Sequence, residues 1–437
     1  MRKSVILFCR LCLKNRIRRS CGRQTAGNPR SGERSDVSGS IHVEMSSPWR
    51  SPVKREGITK LEVFVCICIA GILLGLLLPA MNASRTPARV NQCASQINNF
   101  AKATIQYEMS HKQLPGYVND FGAFDGISDP SMPDAVDRVY RPGDKKLGSW
   151  IIPILPSLDA QPTYEIWTQD KYPLLFVRND RLEFTENAAP NLAIFQCPES
   201  PMLHSKLGRN SYIANCGMHA LDASGLNVVL RRDADEVSSP VTISFEDAQK
   251  TANGVFNNQY HKATNADEFP AGPRVRLDDL KDGAGNTALC SENFQAVAWH
   301  QLATDPDPSA RLLQPAIPGE EVPYPPLSKF TQGMVWHYED LEGFAGAPHV
   351  ATNRRRQINS TIGDEDIVLL KMTPENAPDL ARPSSAHADG VNIGFADGSS
   401  RFIVESIDYR VYQALLTPDG SQSDVPMPSF IAPEEAL

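Results

Sequence analysis

The residues from Val63 to Ser84 carry no charged side chain, and this run constrains the chain more than any other segment. The sequence VFVCICIAGILLGLLLPA is apolar and long enough to cross a bilayer as one helix, which needs about 20 residues. A single carboxylate, Glu62, directly precedes the run. An ionised group beside the hydrocarbon core is costly, so Glu62 is predicted to be functional and to have a partner.

Charge is distributed unevenly along the chain. Residues 1–56 carry 13 Lys and Arg against 4 Asp and Glu, whereas the rest of the chain carries 30 against 47. The positive-inside rule therefore predicts a single-pass protein of the inner (cytoplasmic) membrane, with a cytoplasmic N-terminus and an extracytoplasmic or surface-exposed acidic domain. The lipid bilayer is the expected partner. Nucleic acid is excluded as a partner because the large domain is acidic.

Residues 1–57 form a basic leader with two interpretations. From Met1, the first residues would form an amphipathic or targeting segment. Translation from Met45 would instead give MSSPWRSPVKREG, a compact basic leader. The second interpretation is favoured.

The hexapeptide from Gly57 to Glu62, followed by the apolar run, resembles the type IV prepilin signal of pilins and pseudopilins. The resemblance implies that a prepilin peptidase removes residues 1–57 and methylates the new amine of Ile58. Glu62 would then pair with a terminal amine as pilin-like subunits assemble. Ile58 and Lys60 depart from the phenylalanine and leucine that are commonest at their positions. The alternative is an ordinary membrane anchor with Glu62 at the headgroup level.

Apolar residues continue beyond the membrane run at three- and four-residue spacing, which predicts one helix over residues 58–112 with a stripe that packs on a sheet. The stripe comprises Val90, Cys93, Ala94, Ile97, Phe100, Ala101, Ile105 and Met109. Residues 113–437 are then expected to form an extracytoplasmic antiparallel sheet domain with large loop insertions. The predicted fold class is α+β.

A hairpin is predicted near the C-terminus, over residues 387–404. Two strands, 390–396 and 399–404, flank Asp397 and Gly398, which fit a two-residue loop. Val391, Ile393 and Phe395 alternate toward one face of the first strand.

His387, nine further residues and then Asp397 and Gly398 match the H-X9-DG motif of a large bacterial family of prepilin-like proteins whose function is uncharacterised. Further segments stand in that family's order, among them Asn91-Gln92-Cys93, Phe195-Gln196-Cys197-Pro198 and Ser291-Glu292-Asn293. The resemblance implies a pilin-like fold, in which a long N-terminal transmembrane helix packs on an antiparallel sheet.

Four cysteines, Cys93, Cys197, Cys216 and Cys290, lie in the predicted extracytoplasmic part, where disulfides are permitted. They allow three pairings, and buried free thiols are an equal alternative. Since Cys93 and Cys197 both fall in segments of the family, the resemblance favours pairing them and joining Cys216 to Cys290.

Asp389 and Asp397 are candidate calcium ligands, because carboxylate oxygens suit that ion. The alternative is that Asp397 shapes the turn while His387 hydrogen-bonds the loop. His300, His337 and His387 could converge on a metal, yet their spacing does not require it. The predicted domain has no H-E-x-x-H, G-x-S-x-G or C-x-x-C motif, so no catalytic residue and no enzymatic activity are predicted.

Two functions are consistent with these features. The first is a non-enzymatic, pseudopilin-like subunit of a type II secretion or type IV pilus-like assembly. The second is a membrane-anchored, extracytoplasmic protein that binds a ligand or glycan and uses the prepilin signal only for sorting. The size of the domain favours the second, because large insertions would crowd a helical fibre. The processing signal favours the first, which is the working hypothesis.

Overall fold

The computed structural model describes residues 59–126, 140, 142–178, 181–200, 206–219, 226–229, 240–260, 262–263, 268–302, 325–338, 356–360, 370–373 and 376–425. The predicted leader, its internal start at Met45 and the cleavage site at Gly57 and Ile58 lie outside these residues. The chain divides into two compact units, Met1–Cys68 and Ile69–Leu437.

Helix α1 spans Lys60–His111 and begins with a capping box. The backbone N–H of Thr59 donates to Glu62 Oε2 (2.8 Å), and the N–H of Glu62 donates to Thr59 Oγ1 (3.3 Å). Such reciprocal bonds satisfy two N–H groups that a helix start leaves without partners. Glu62 therefore has a partner within its own chain. Both residues follow the predicted cleavage site, so removal of residues 1–57 would leave the cap intact.

Among the residues that the structure describes, no helix offers a stretch both long enough and apolar enough to span a membrane. The structure does not describe the side chains of residues 73–86, and residues 73–84 of that stretch belong to the predicted span.

Residues 87–111 of α1 pack against a five-stranded sheet. The predicted stripe is confirmed at its centre, where Cys93, Ile97, Phe100 and Ala101 are all completely buried. The prediction is wrong at Met109, which is 65% exposed, whereas the preceding Glu108 is buried, so Met109 faces away from the core.

The remaining helices and strands follow in chain order. The helices are α2 (Ile151–Ile154), α3 (Gln161–Thr168), α4 (Pro325–Gln332), α5 (Ala377–Leu380) and α6 (Tyr409–Leu416). The strands are β1 (Asn119–Ala123), β2 (Lys145–Gly148), β3 (Leu175–Arg178), β4 (Arg181–Phe184), β5 (Tyr212–Met218), β6 (Leu226–Val229), β7 (Pro240–Ile243), β8 (Lys262–Ala263), β9 (Glu268–Phe269), β10 (Ala288–Glu292), β11 (Gly333–Trp336), β12 (Gly390–Phe395) and β13 (Ser400–Val404). Short 3-10 turns cover Leu155–Leu158, Ala193–Phe195, Asp247–Gln249 and Leu277–Asp279.

The main sheet has the strand order β11-β5-β10-β12-β13. The pairs β5–β10, β10–β12 and β12–β13 are antiparallel, but β11 runs parallel to β5. The prediction of a purely antiparallel sheet is therefore wrong. β10 and β11 pair with opposite edges of β5, and α4 directly precedes β11.

Both faces of the main sheet are covered. Tyr212 and Ala214 of β5 belong to the core beneath α1, whereas Val391 and Ile393 of β12 belong to the core beneath α6. At the crossing of α1 and β12 only a glycine fits, because a Cβ on Gly394 would lie 2.7 Å from Cγ2 of Ile97. The sequence thus forms an α+β domain with helices on either side of a mixed sheet.

The predicted C-terminal hairpin is present, and its turn is one residue longer than expected. Gly394 pairs with Ser400, and the N–H of Phe395 donates to the carbonyl of Ser399, so the loop comprises residues 396–398. Gly398 has a φ of 83°, the left-handed conformation that closes three-residue hairpin loops. The Asn98 side chain donates to the Gly398 carbonyl and ties the turn to α1.

Candidate metal centre

Four ligand-bearing side chains from distant parts of the chain converge at one buried point. They are Cys93, Cys197, Glu292 and His387, and their ligand atoms all lie within 4.8 Å of one another. Cys93 belongs to α1, Glu292 ends β10, and the other two occupy loops. Each side chain is nearly or completely inaccessible to solvent.

The two thiols are positioned by the packing of α1 on the loop that follows β4. Two turns after Cys93, Phe100 stacks on Phe195, with ring centroids 5.3 Å apart. Phe195 ends a 3-10 turn directly before the Cys197 loop, and the N–H of Cys197 donates to Ser211 Oγ (3.2 Å). The aromatic contact therefore fixes the spacing between helix and loop, and with it that of the two sulfur atoms.

Glu292 and His387 are held by the sheet and by the loop before β12. The backbone N–H of Asn392 donates to Glu292 Oε2 (2.8 Å), which leaves Oε1 directed at the cluster. The N–H of His387 donates to Ser385 Oγ (3.1 Å), and the Ser385 hydroxyl donates to the Gly390 carbonyl (2.7 Å). These bonds anchor the loop at the start of β12 and aim the imidazole inward.

The central distances are those of a compact donor set. His387 Nε2 lies 2.9 Å from Glu292 Oε1 and 3.7 Å from Cys197 Sγ, and Cys197 Sγ lies 3.8 Å from Glu292 Oε1. On the other side of the ring, His387 Nδ1 donates to Glu199 Oε2 (2.8 Å). Arg89 of α1 pairs in turn with Glu199, at 3.6 Å.

Neighbouring groups shift the pKa values within the cluster in opposite directions. The hydrogen bond from the Cys93 thiol lowers the pKa of Cys197 to about 6 against the effect of burial, and the bond to His387 adds to this. The same bond to Cys197 raises the pKa of Cys93. Burial disfavours the His387 cation, yet the bonds to Cys197 and Glu292 and the charge of Glu292 outweigh it and raise the His387 pKa to about 10. Cys197 is therefore the more acidic of the two thiols, and His387 favours its protonated form.

The set has two chemical interpretations. In the first, Cys197 is a nucleophile, His387 is its base, and Glu199 is the carboxylate that orients the base. However, Cys197 is only 5% exposed and His387 3%, which leaves little access for a substrate. Glu292 also contacts the same Nε2 atom that the nucleophile would use. Two sulfurs, one imidazole nitrogen and one carboxylate oxygen around a point instead suit a transition metal.

The predicted calcium ligands do not share a site. Asp389 precedes β12 and Asp397 follows it, so the length of the strand separates the two carboxylates. Oδ1 of Asp397 instead accepts the N–H of Ser399 (2.8 Å) and shapes the turn, as the alternative interpretation predicted. His387 contacts Glu199 and Glu292 rather than the hairpin loop.

The predicted disulfides are not formed, because Cys93, Cys197, Cys216 and Cys290 are all buried free thiols. Cys216 and Cys290 lie on neighbouring antiparallel strands, but out of register, since Cys290 pairs with Ala214. Cys93 and Cys197 do come together, as the family resemblance implied. They meet as members of a four-residue cluster rather than as a bonded pair.

The three predicted histidines do not converge. His300 packs against Phe184, with ring centroids 4.5 Å apart, and the His337 ring contacts that of His219, with centroids 4.3 Å apart. Only His387 joins the cluster. Glu199 was missed in the sequence, and Glu292 was noted only as part of a motif. The sequence does contain a signal for this cluster. Each of the three quoted family segments, and the histidine of the H-X9-DG motif, supplies one residue able to bind a metal.

These features define a mixed α+β domain in which a helix packs on a five-stranded sheet around a buried cysteine, histidine and glutamate cluster. The chain belongs to the family described as "Protein of unknown function (DUF1559)", whose model matches residues 82–410. The match contains all four cluster residues together with Asp397 and Gly398, whereas Gly57, Ile58 and Glu62 precede it. No curated protein and no solved structure matches the chain.

Proposed function

We propose that the chain is a non-enzymatic, pilin-like protein of the cell envelope, anchored in the lipid bilayer by the first part of α1 and carrying its acidic domain outside. The observation that carries this proposal is the contrast along α1. Leu61, Phe64 and Ile72 are 71%, 65% and 64% exposed, whereas four apolar side chains further along the same helix are completely buried, namely Cys93, Ile97, Phe100 and Ala101.

The exposed residues do not form a stripe. The large apolar side chains at positions 61, 63, 64, 65, 67, 69 and 72 surround the helix axis at 100° per residue. Leaving such side chains in water costs about 25 cal/mol for each Å² of apolar surface, so a helix that is apolar on every side needs an apolar surrounding. We infer that this surrounding is lipid. Residues 1–56 are basic and the rest of the chain is acidic, which is the charge distribution that the positive-inside rule gives for a membrane protein.

The arrangement of residues 87–111 supports the pilin-like interpretation. A pilin-like subunit needs one helix that serves two environments: its first part lies in apolar surroundings and its second part forms the spine of a sheet domain. In α1 the second part is held by the Phe100 aromatic contacts and by the bond from Asn98 to the hairpin turn. The domain's task would then be to present its acidic surface and loops to other subunits or to secreted partners.

Localisation is tested with the full chain carrying a C-terminal tag in its native host or a related bacterium. The proposal predicts that the tag sediments with membranes after alkaline carbonate extraction. It also predicts that protease added outside spheroplasts removes the tag. An extractable chain whose tag is protected would overturn the proposal.

Glu62 then separates assembly from anchoring. Glu62→Gln retains the capping box, because glutamine also accepts the Thr59 N–H, but removes the carboxylate charge. Glu62→Leu removes both. If the carboxylate pairs with a neighbouring subunit's amine, both variants are cleaved after Gly57 and neither assembles. If Glu62→Gln assembles normally while Glu62→Leu does not, Glu62 serves only as a cap.

Normal processing and envelope function in both variants would favour the second candidate, a membrane-anchored binding protein sorted by its signal. A cleavage-blocking Gly57→Val variant is the control for processing. It should retain the precursor mass while leaving α1 and its cap unchanged, since Thr59 and Glu62 lie beyond the substituted residue.

A further inference from the structure

We infer that Cys93, Cys197, Glu292 and His387 bind one zinc ion that fastens α1 to the sheet. The inference does not rest on the proposed envelope function, because it concerns only the buried interior of the domain. The four residues lie within the part of the chain that the structure describes, and each offers one ligand atom.

The donor types select the metal. Calcium and magnesium prefer sets made only of oxygen, which two thiols exclude. Thiolates alone would favour copper(I) or an iron–sulfur cluster, but a carboxylate and an imidazole complete this set. Zinc is borderline in softness and accepts sulfur, nitrogen and oxygen together, usually as four tetrahedral ligands.

The distances among Cys197, Glu292 and His387 fit a tetrahedral ion with small adjustments, and the ligand atom of Cys93 lies within 4.8 Å of the other three. Zinc bonds of about 2.3 Å to sulfur and about 2.0 Å to nitrogen or oxygen place neighbouring ligand atoms roughly 3.3–3.8 Å apart. Cys197 Sγ lies 3.7 Å from His387 Nε2 and 3.8 Å from Glu292 Oε1. The 2.9 Å between His387 and Glu292 is shorter, so these two side chains would separate by a few tenths of an ångström.

The surrounding contacts are those that orient metal ligands. A histidine that binds a metal usually donates its other ring N–H to a carboxylate or carbonyl, which fixes the tautomer and the ring plane. His387 Nδ1 makes this bond to Glu199, and Arg89 supports Glu199 from α1. Asn392 binds Oε2 of Glu292 and thereby presents Oε1 to the cluster. His387, on its loop, and Glu292, at the end of its strand, are thus held in position by residues outside the cluster.

The arrangement indicates a structural site. All four positions are supplied by the protein and all four side chains are buried, whereas catalytic zinc sites keep one position open. The ligands come from residues about one hundred positions apart, and they connect α1, the Cys197 loop, β10 and the loop before β12. Zinc would therefore connect elements that are otherwise held together by packing. Its binding free energy would add to the free energy of unfolding of the domain.

Zinc content is measured on the purified full-length chain, equilibrated with excess zinc and then dialysed. We expect one zinc per chain for the wild type and for Cys216→Ser, a matched buried cysteine outside the cluster. Cys197→Ser should retain less than about a tenth of that amount, because only three ligands remain. Glu199→Gln should keep full stoichiometry, but competition with a chelator should show about 10–100-fold weaker affinity.

Three results would overturn the inference. The first is a wild-type chain that holds no zinc at saturating concentration or prefers iron or copper. The second is equal zinc retention in Cys197→Ser and Cys216→Ser. The third is a Cys93–Cys197 disulfide in peptide maps of chain purified without reductant. If Cys197→Ser does not fold, cobalt substitution of the wild type decides, since only thiolate coordination gives intense sulfur-to-cobalt absorption.

Discussion

Acid should destabilise the domain through His219 and His337, whose tilted rings are in contact beneath α4 with centroids 4.3 Å apart. Both rings are buried, and in the described part of the chain neither Nε2 of His219 nor Nδ1 of His337 has a hydrogen-bond partner. Burial lowers the pKa of His219 to about 3, with the charges of Arg356 and Lys329 adding to the effect. Burial, His219 and Arg356 also hold the pKa of His337 well below its usual range.

The sign of the effect follows from these lowered pKa values. In the folded state both imidazoles stay neutral, whereas in the unfolded state each takes up a proton below about pH 6.5. Their contribution to stability is therefore complete above pH 6.5 and is lost as the pH falls toward 3. Each pKa unit corresponds to about 1.4 kcal/mol, so each histidine should remove about 2 kcal/mol from the free energy of unfolding between pH 6.5 and pH 5.

The assay is denaturant unfolding at pH 7.5, 6.0 and 5.0, comparing the wild type with His219→Phe. Phenylalanine keeps an aromatic ring beside Phe330, 5.4 Å away, but cannot take up a proton. The comparison isolates the histidine, because acid effects elsewhere are common to both proteins. The variant should lose about 2 kcal/mol less than the wild type on going to pH 5.

The exposed His111 provides a matched control, and His111→Gln should follow the wild-type curve. The reasoning would be refuted if wild type and His219→Phe lost stability in parallel. It would also be refuted if the free energy of unfolding of the wild type did not fall below pH 6.5.

Three further substitutions test the packing by denaturant unfolding. Phe100→Ala should cost about 3–5 kcal/mol, because Phe100 is fully buried at the aromatic contact between helix and sheet, and a loss below about 1 kcal/mol would contradict that role. Gly394→Ala should cost about 1–3 kcal/mol, because its Cβ would meet the Ile97 side chain, and unchanged stability would show that the helix can shift. Lys329→Met should stabilise by about 1–3 kcal/mol, because its buried Nζ has no hydrogen-bond partner among the described residues; a destabilised variant would indicate a partner for the amine.

Local patterns in the sequence predicted local structure well. The stripe from Cys93 to Ala101 predicted the buried face of α1, and the alternation of Val391, Ile393 and Phe395 predicted the face of β12 that packs in one core with α6. Both rest on periodicities that a chain displays within one element. The parallel pairing of β11 with β5 was not predictable in this way, because it depends on a long connection whose path leaves no periodic signal.

The candidate site shows the same limit more sharply. Cys93, Cys197 and His387 were each singled out, but as disulfide or motif residues, and Glu292 had no assigned role. Sequence separations of 95 and 190 residues divide Cys197 from Glu292 and His387. No spacing rule for metal sites covers such distances, since those rules describe ligands on one turn or hairpin. Only the folded sheet brings the four side chains to one point.

X-ray absorption at the zinc edge tests the central claim most directly, because it reports the atoms bound to the ion in the full-length chain. The structure predicts two sulfur neighbours at about 2.3 Å and two nitrogen or oxygen neighbours at about 2.0 Å. Cys93→Ser should reduce the sulfur count to one, whereas Cys290→Ser should leave it at two. A spectrum with only nitrogen and oxygen neighbours, or one unchanged by Cys93→Ser, would contradict the account.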